Sequence, residues 1–209
     1  MFDRFFAQQL ALPSGLFGRF IMSRWLRAHT RAANAWALEQ FALGPDDRLL
    51  DIGFGSGELL AEVLSRDGRV QAAGLDLSEE MVRLARRRLW PWIQEGRLEL
   101  RQGAIDAMPF ADARFSRVIT VNTLYFWPSP AKALAECRRV LEDQGECLIC
   151  FDAKEELEQW SGHRFGFTLY EPPEVEALVL AAGFTLLGLR TKSFPGYGMA
   201  HCVSARKAP

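Results

Sequence analysis

The 209-residue sequence has few cysteines, no strong charge imbalance and no long apolar run. Four cysteines are too few to form a disulfide scaffold in a chain of this length. We therefore predict that they stay reduced in a cytoplasmic protein. No stretch is long and apolar enough to predict a membrane span, and the first residues lack the basic-then-apolar order of a signal peptide. With 25 basic and 26 acidic residues, the chain has no net positive field to attract nucleic acid.

Two local patterns have simpler interpretations than a functional site. Cys147 and Cys150 form C-x-x-C inside ECLICF, a stretch typical of a strand, where side chains three positions apart point to opposite faces. We therefore predict neither a redox pair nor a zinc site, and no other metal site. Another cluster recurs at helical spacing and favours a solvated helix face over a binding patch; it consists of Arg83, Arg86, Arg87 and Arg88.

Strand and helix patterns alternate along most of the chain. This alternation predicts an α/β, Rossmann-like fold with a seven-stranded, mostly parallel sheet, an antiparallel last strand and helices on both faces. We expect a single domain overall, in which residues 1–43 form an N-terminal helical lid and residues 44–209 the main fold. The predicted strands are 48–52, 70–77, 97–102, 117–122, 146–152, 185–192 and 201–207, and the main helices are 58–65, 79–89, 130–141 and 172–182.

Glycines at every second position follow the first predicted strand, in LLDIGFGSGELL. A tight turn needs one or two glycines, so Gly53, Gly55 and Gly57 together favour a cofactor lying against the backbone. Dinucleotide-binding turns read G-x-G-x-x-G, and here Glu58 takes the place of the last glycine. A carboxylate at that helix start repels a pyrophosphate, and the chain has no P-loop sequence. The turn therefore indicates a nucleoside ligand without phosphates.

An acidic residue, Asp76, ends the second predicted strand in GLDLSEEM. A carboxylate at this point can accept hydrogen bonds from both hydroxyls of a ribose, each contributing about 1.5–3 kcal/mol. The alternative is an aspartate that only helps to start the helix beside Ser78. The glycine turn on the neighbouring strand favours the ribose.

Four stretches in order resemble the motifs of a known family: LLDIGFGSG, GLDLSEEMVRLAR, MPFADARFSRVITVNTLYFW and ALAECRRVLEDQGECLI. From about residue 47 to 151 the chain is similar to class I S-adenosylmethionine-dependent methyltransferases, and among them to the broad set that includes ubiquinone- and menaquinone-biosynthesis enzymes. The resemblance implies S-adenosylmethionine as the cofactor, a small molecule as the methyl acceptor, and residues 44–209 as the methyltransferase domain.

The resemblance also implies roles for individual residues. The glycines are expected to line the methionine part of the cofactor, Asp51 to hold its ammonium and Asp76 its ribose. Where the family often has Gly-Asp-Ala, this chain has Gly103-Ala104-Ile105, so the adenine is expected to rest on Ile105, on the Ala104 backbone or on Asp106. The implied cofactor-binding residues are Asp51, Gly53, Gly55, Gly57, Asp76, Leu77, Met81, Ala104, Ile105 and Asn122.

Aromatic segments indicate an apolar or aromatic methyl acceptor. Methyl transfer discharges a sulfonium, so alignment of the reactants, worth as much as ~7–11 kcal/mol, is the main requirement and a base is optional. Tyr125 in NTLYFW and His163 in WSGHRFGF are the candidate catalytic residues, although a surface histidine is the simpler interpretation of His163. The expected acceptor-binding residues are Phe17, Trp25, His29, Tyr125, Trp127 and Phe165.

Two other functions stay open. LFGRFIMSRWLRAHTR interleaves apolar residues with arginines, a pattern typical of a helix on a membrane surface, where the acceptor would be a phospholipid or a quinone. The chain could instead bind S-adenosylmethionine without transferring its methyl group. An aminopropyl-type relative is the least favoured form of this alternative, because NTLYFW lacks acidic residues for a polyamine.

Overall fold

A single seven-stranded sheet forms the centre of the computed structural model, which describes residues 2–17, 23–66 and 69–208, without the side chains of Leu16 and residues 23–30. The strands are β1 (Arg48–Ile52), β2 (Gln71–Asp76), β3 (Leu98–Gln102), β4 (Phe115–Val121), β5 (Leu141–Asp152), β6 (Phe184–Phe194) and β7 (Gly198–Lys207). Their order across the sheet is β3-β2-β1-β4-β5-β7-β6.

The sheet is parallel except for its last strand in the chain. β1 lies between β2 and β4 and runs parallel to both, so that Leu50 faces Ala73 on one side and Val118 on the other. β7 is antiparallel to β5 and β6, between which it is inserted. The predicted fold class is therefore confirmed. Because the winding reverses at β1, the carboxyl ends of β1, β2 and β4 form a crevice, where this architecture binds ligands.

Helices flank the sheet. Ser78 is the N-cap of the helix Glu79–Arg88 and accepts a hydrogen bond from the Met81 N–H (3.3 Å). Pro91 lies in the first turn of the next short helix, Trp90–Gln94, where a missing N–H costs nothing. The helices are α1 (Phe2–Ala11), α2 (Gly15–Phe17), α3 (Ser23–Glu39), α4 (Glu58–Arg66), α5 (Glu79–Arg88), α6 (Trp90–Gln94), α7 (Pro130–Val140), α8 (Lys154–Glu158) and α9 (Pro172–Ala181).

Apolar side chains fill the space on both faces of the sheet. On β5, Cys147, Ile149 and Phe151 pack into the cluster beneath α7 and α9, whereas Leu148 and Cys150 pack into the cluster beneath α3 and α4. This alternation confirms that the two cysteines of C-x-x-C point to opposite faces.

The N-terminal helices pack onto the main fold through aromatic contacts. Phe6 of α1 lies edge-on to Trp160 at 5.8 Å between ring centroids, and Trp36 of α3 lies edge-on to Phe194 at 5.7 Å. The division into residues 1–43 and 44–209 stays a prediction. No helix in the described ranges is long and apolar enough to cross a membrane.

The prediction that all four cysteines are reduced is wrong for one pair. Cys150 on β5 stands directly opposite Cys202 on β7, with 4.1 Å between their Cα atoms, and the two form a disulfide. Cys137 and Cys147 are buried free thiols. The sequence did not reveal the pair because antiparallel register, and not spacing along the chain, makes the two residues neighbours.

We expect two free thiols when the purified protein is unfolded without reductant and titrated with a thiol reagent, and four after reduction. Cys202→Ser should then leave three thiols with or without reductant, because Cys150 loses its partner. Four thiols in the unreduced wild-type protein would contradict the Cys150–Cys202 pairing.

Candidate active site

A cavity lies at the carboxyl ends of β1, β2 and β4, between the sheet and the N-terminal segment. The glycine turn after β1 forms its floor, and the turn after β3 and the end of β4 form two of its walls. The described residues that line it include Leu10, Ala11, Pro13, Asn34, Asp51, Gly53, Gly55, Glu58, Asp76, Leu77, Met81, Gly103, Ala104, Ile105, Asp106, Asn122, Thr123, Phe126, Trp127 and Pro128.

The three glycines of the turn have different roles. All have positive φ, but a Cβ at Gly55 would meet nothing within 4 Å, whereas one at Gly53 would lie 2.3 Å from the Thr123 side chain. Gly57 does not line the cavity: it is buried, and a Cβ there would lie 2.7 Å from Leu89. Gly55 therefore leaves open space for a ligand, while Gly57 allows the close packing of α4 and α5.

Asp76 links the glycine turn to the start of α5. Its carboxylate accepts hydrogen bonds from the backbone N–H groups of Gly55 and Ser78, each at 2.8 Å. A carboxylate can accept about four hydrogen bonds, so about two lone pairs stay available at the cavity. This geometry suits the two hydroxyls of a ribose.

Asp51 and Asp76 form a pair of acids in the cavity wall. Burial, together with the charge of Asp76, raises the pKa of Asp51 from 3.8 to about 8. Burial raises the pKa of Asp76 to about 6, although the Ser78 and Gly55 N–H groups oppose the rise. Asp51 Oδ2 is buried and has no hydrogen-bond partner among the described residues. A cationic ligand group beside Asp51 would stabilise its ionised form.

The residues expected at the adenine surround one end of the cavity. Leu77 is 54% exposed and Met81 is fully buried, so Leu77 offers surface to a ligand and Met81 supports the wall. Ala104, Ile105 and Asp106 come from the turn after β3, where residues 105–107 form a 3₁₀ helix. Asp106 brings a carboxylate two positions beyond the Asp of the family pattern.

Glu58 is not the isolated carboxylate that the sequence indicated. It forms an ion pair with Arg88 across the α4–α5 interface. The pairing reduces the negative charge at the start of α4, so the repulsion of a pyrophosphate is weaker than predicted. The choice of cofactor therefore rests on Asp76 and on the family.

The end of β4 brings polar and aromatic groups to the cavity. Asn122 has a φ of +58°, a conformation that asparagine tolerates better than most residues. Phe126 and Trp127 line the cavity, and the Trp127 indole donates a hydrogen bond to Thr123 Oγ1 at 3.1 Å. Tyr125 is 3% exposed and is outside the lining, since its hydroxyl is engaged in the interior by Asn122 and the Asp152 N–H.

Among the other predicted acceptor-binding and catalytic residues whose side chains the structure describes, only Trp127 lines the cavity. His163 hydrogen-bonds through Nδ1 to the Trp160 carbonyl at 2.7 Å, outside the lining. Phe165 is 42% exposed, and Phe17 packs edge-on against Phe5 at 4.9 Å; neither lines the cavity. The side chains of Trp25 and His29 lie outside the described residues.

Sequence reasoning missed the residues that the N-terminal segment contributes. Leu10, Ala11 and Pro13 line the cavity, and the Pro13 carbonyl accepts a hydrogen bond from Ser78 Oγ at 2.5 Å. Asn34 of α3 adds an amide. The Leu-Pro-Ser-Gly break after α1 was the only available signal, and it indicates a turn without saying what the turn faces.

Comparisons with known proteins identify the family of the chain. The model of a methyltransferase domain family matches residues 50–149. An uncharacterized methyltransferase, YdaC of Bacillus subtilis (strain 168), is 31% identical over 130 residues, which are 62% of this chain and 70% of YdaC. A demethylmenaquinone methyltransferase of Symbiobacterium thermophilum is 31% identical over 145 residues, covering 66% of this chain but only 56% of that enzyme.

A solved structure of similar fold is a putative methyltransferase in complex with the Trm112 methyltransferase activator of Haloferax volcanii. Its TM-score is 0.79 at 19% identity, with 90% of this chain and 93% of that chain covered. The chain belongs to the class I S-adenosylmethionine-dependent methyltransferases, as the resemblance of its motifs implied. S-adenosylmethionine is accordingly its cofactor, and the unpartnered Asp51 Oδ2 and the open space at Gly55 fit that molecule.

The raised pKa of Asp51 makes the stability of the ligand-free protein depend on pH. Between pH 4 and 8 the folded protein holds a proton that the unfolded chain releases, so the free energy of unfolding falls as pH rises, by at most about 1.4 kcal/mol per pH unit. Asp51→Asn has no carboxyl group to titrate at this position, so it removes this fall in the free energy of unfolding. We expect its melting temperature to exceed that of the wild type by a margin that grows from pH 4 to 8. The exposed Asp46→Asn is the matched control, and a margin independent of pH would contradict the assignment.

Proposed function

We propose that the protein transfers the methyl group of S-adenosylmethionine to a small apolar or aromatic molecule. The observation that carries the proposal is the arrangement of the cavity, in which two acids stand at the glycine turn and an apolar and aromatic wall stands at the end of β4. In that wall, Phe126, Trp127 and Pro128 lie next to Leu10 and Pro13 of the N-terminal segment.

The cofactor is assigned to the acidic half of the cavity. Asp76 would accept hydrogen bonds from the ribose hydroxyls, and Asp51 would hold the ammonium of the methionine part beside Gly53 and Gly55. Leu77, Ile105 and Asp106 would hold the adenine. The pair of acids suits a molecule that carries an ammonium and a sulfonium, because each positive group stabilises ionised carboxylates in a buried site.

Catalysis then depends on alignment. S-adenosylmethionine supplies an activated methyl group, and the wall residues hold the acceptor in line with it and exclude water. No histidine is among the described residues that line the cavity, so His163 does not have the position of a general base. Tyr125 is buried behind the wall and contributes through packing, in ring contact with Phe126 at 5.9 Å.

The acceptor is assigned to the space beneath the N-terminal lid. Phe126 packs on Phe167 at 4.6 Å, Phe167 on Trp160, and Trp160 on Phe6 of α1, each of the latter two at 5.8 Å. Of these rings Phe126 lines the cavity, and the contacts with the others hold it in place, so the acceptor would meet a fixed aromatic face, which favours a flat apolar molecule. The similarity to a demethylmenaquinone methyltransferase, whose named acceptor is a quinone compound, points to the same class.

Calorimetric titration with S-adenosylhomocysteine, the demethylated product, tests the cofactor half. We expect Asp76→Asn to weaken binding about 10- to 100-fold, because it removes the charge from two hydrogen bonds. Asp112→Asn, whose side chain is 78% exposed, is the matched control and should bind as the wild type. Equal affinity of Asp76→Asn and wild type would overturn the ribose assignment.

Transfer of a radiolabelled methyl group to a panel of phenols, hydroquinones and aliphatic amines tests the acceptor half. We expect transfer to the hydroquinones and phenols and none to the aliphatic amines. Binding of S-adenosylhomocysteine without transfer to any member of the panel would support the alternative, a cofactor-binding protein without transferase activity.

A membrane-surface location is a second candidate. In the stretch LFGRFIMSRWLRAHTR, which indicated it, residues 18–22 and the side chains of residues 16 and 23–30 lie outside the described residues. The candidate is favoured by exposed apolar side chains on α1 and directly after it. Phe2, Phe5 and Leu12 are 69%, 42% and 44% exposed, close to the segment that covers the cavity. An apolar acceptor dissolved in a bilayer would reach the site from this side.

Sedimentation with anionic lipid vesicles checks the membrane location. We expect the wild type to sediment with the vesicles and the double variant Phe2→Ser, Phe5→Ser to stay in solution. Leu180→Ser, which removes an equally exposed apolar side chain from α9, should sediment as the wild type does. A wild-type protein that stays in solution would exclude this candidate.

A further inference from the structure

Four residues form a closed ring of hydrogen bonds behind the cavity wall, near the ends of β4 and β5. The backbone N–H of Asp152 donates to the Tyr125 hydroxyl, and that hydroxyl donates to Asn122 Oδ1 (3.3 Å). Asn122 Nδ2 donates to the Tyr197 hydroxyl (2.7 Å), which donates to Asp152 Oδ1 (2.7 Å). The ring therefore begins and ends on Asp152.

Asp152 gives this ring a single direction. A backbone N–H can only donate, so the proton of the Tyr125 hydroxyl must point to Asn122. An ionised carboxylate can only accept, so the proton of the Tyr197 hydroxyl must point to Asp152 and its lone pair to Asn122. With both phenols oriented, the Asn122 amide has one favourable orientation: oxygen toward Tyr125 and nitrogen toward Tyr197.

The charge on Asp152 is maintained at neutral pH. Burial and the charge of Glu156 on α8 raise its pKa to about 6, while hydrogen bonds from Tyr197 and from the Asn122 side chain oppose the rise. Inside the ring, Asn122 Nδ2 donates to the Tyr197 hydroxyl and Asn122 Oδ1 accepts from the Tyr125 hydroxyl, so both ends of the amide are held, and Oδ1 keeps a second lone pair.

Asn122 is also the member of the ring that lines the cavity, with a backbone φ of +58°. Tyr197 joins the hydrogen-bonded ring from the β6–β7 hairpin. There its phenol group packs edge-on against Phe194, with 5.8 Å between the centroids. An unusual backbone conformation and a fixed amide at the cavity wall both indicate that the position of Asn122 is closely controlled.

We propose that Tyr197 and Asp152 are positioning residues, which hold the Asn122 amide so that its oxygen is presented to the cavity as a hydrogen-bond acceptor. The ligand group that it recognises is an N–H or O–H donor, supplied by the methyl acceptor or by the ammonium of the cofactor. The inference rests on the proposed function in placing these ligands in this cavity, but the orientation of Asn122 is a property of the ligand-free protein.

Nuclear magnetic resonance of the side-chain amides in ¹⁵N-labelled protein tests the positioning role without turnover. The Asn122 amide signal, assigned with Asn122→Gly, should show slow exchange with solvent in the wild type. Tyr197→Phe keeps the aromatic ring but removes the hydroxyl, and we expect it to accelerate that exchange at least tenfold. Asp152→Asn replaces the carboxylate that accepts from Tyr197 and should accelerate the exchange in the same way. Tyr170→Phe removes a hydroxyl outside the hydrogen-bonded ring and should leave the exchange unchanged.

Two further measurements identify the donor. The donor belongs to the cofactor if Asn122→Gly weakens the binding of S-adenosylhomocysteine but not the binding of an analogue that lacks the ammonium. An unchanged affinity with at least a tenfold rise in KM for a phenol or hydroquinone acceptor assigns it to the acceptor. The recognition role is wrong if Asn122→Gly changes neither of the two affinities, for S-adenosylhomocysteine and for its analogue, nor the KM for the phenol or for the hydroquinone.

Unchanged exchange of the Asn122 amide in both ring variants would overturn the positioning role, even in an active methyltransferase. Conversely, accelerated exchange in a protein that transfers no methyl group would support the positioning role and refute the proposed function. Should Tyr197→Phe not fold, Asp152→Asn decides the question alone, since its side chain is nearly the same size.

Discussion

The Asp76 carboxylate is the interaction on which the geometry of the site depends. By accepting the N–H groups of Gly55 and Ser78, it fixes the turn after β1 against the start of α5. Buried N–H groups need partners, and a charged acceptor forms hydrogen bonds about twice as strong as a neutral one. The same Ser78 binds the Pro13 carbonyl, so the N-terminal segment is held to the cavity through this point. The glycine turn and the N-terminal segment therefore share one anchor.

The two halves of the cavity differ in charge: one half has two acidic side chains, and the other has apolar and aromatic walls. Burial raises the free-energy cost of ionising both Asp51 and Asp76, and the charge of Asp76 adds to that cost for Asp51. A cofactor that brings positive groups relieves that cost on binding. At the opposite side, Phe126 and Trp127 offer no charge, and hydrogen bonds with Tyr125 and Tyr197 orient the Asn122 amide.

Local sequence patterns were sufficient to predict the strands, the helix starts and the acidic residues that line the cavity. Strand alternation predicted that Cys147 and Cys150 face opposite sides, and the capping rule located Ser78. Local patterns could not separate Gly55 from Gly57, since the two share a sequence context and a positive φ and differ only in what lies beside them. Nor could they show that Glu58 meets Arg88, because that contact joins two helices.

The sequence alone determined the fold class, the family and the cofactor, because glycines and acids at strand ends are a property of short consecutive stretches. Only the tertiary structure decided which of the predicted residues share a cavity. It joined Cys150 to Cys202 through strand register, placed His163 outside the lining, and brought Tyr197 from the last hairpin to Asn122. Such contacts depend on how distant segments are packed against one sheet, and no local spacing records that packing.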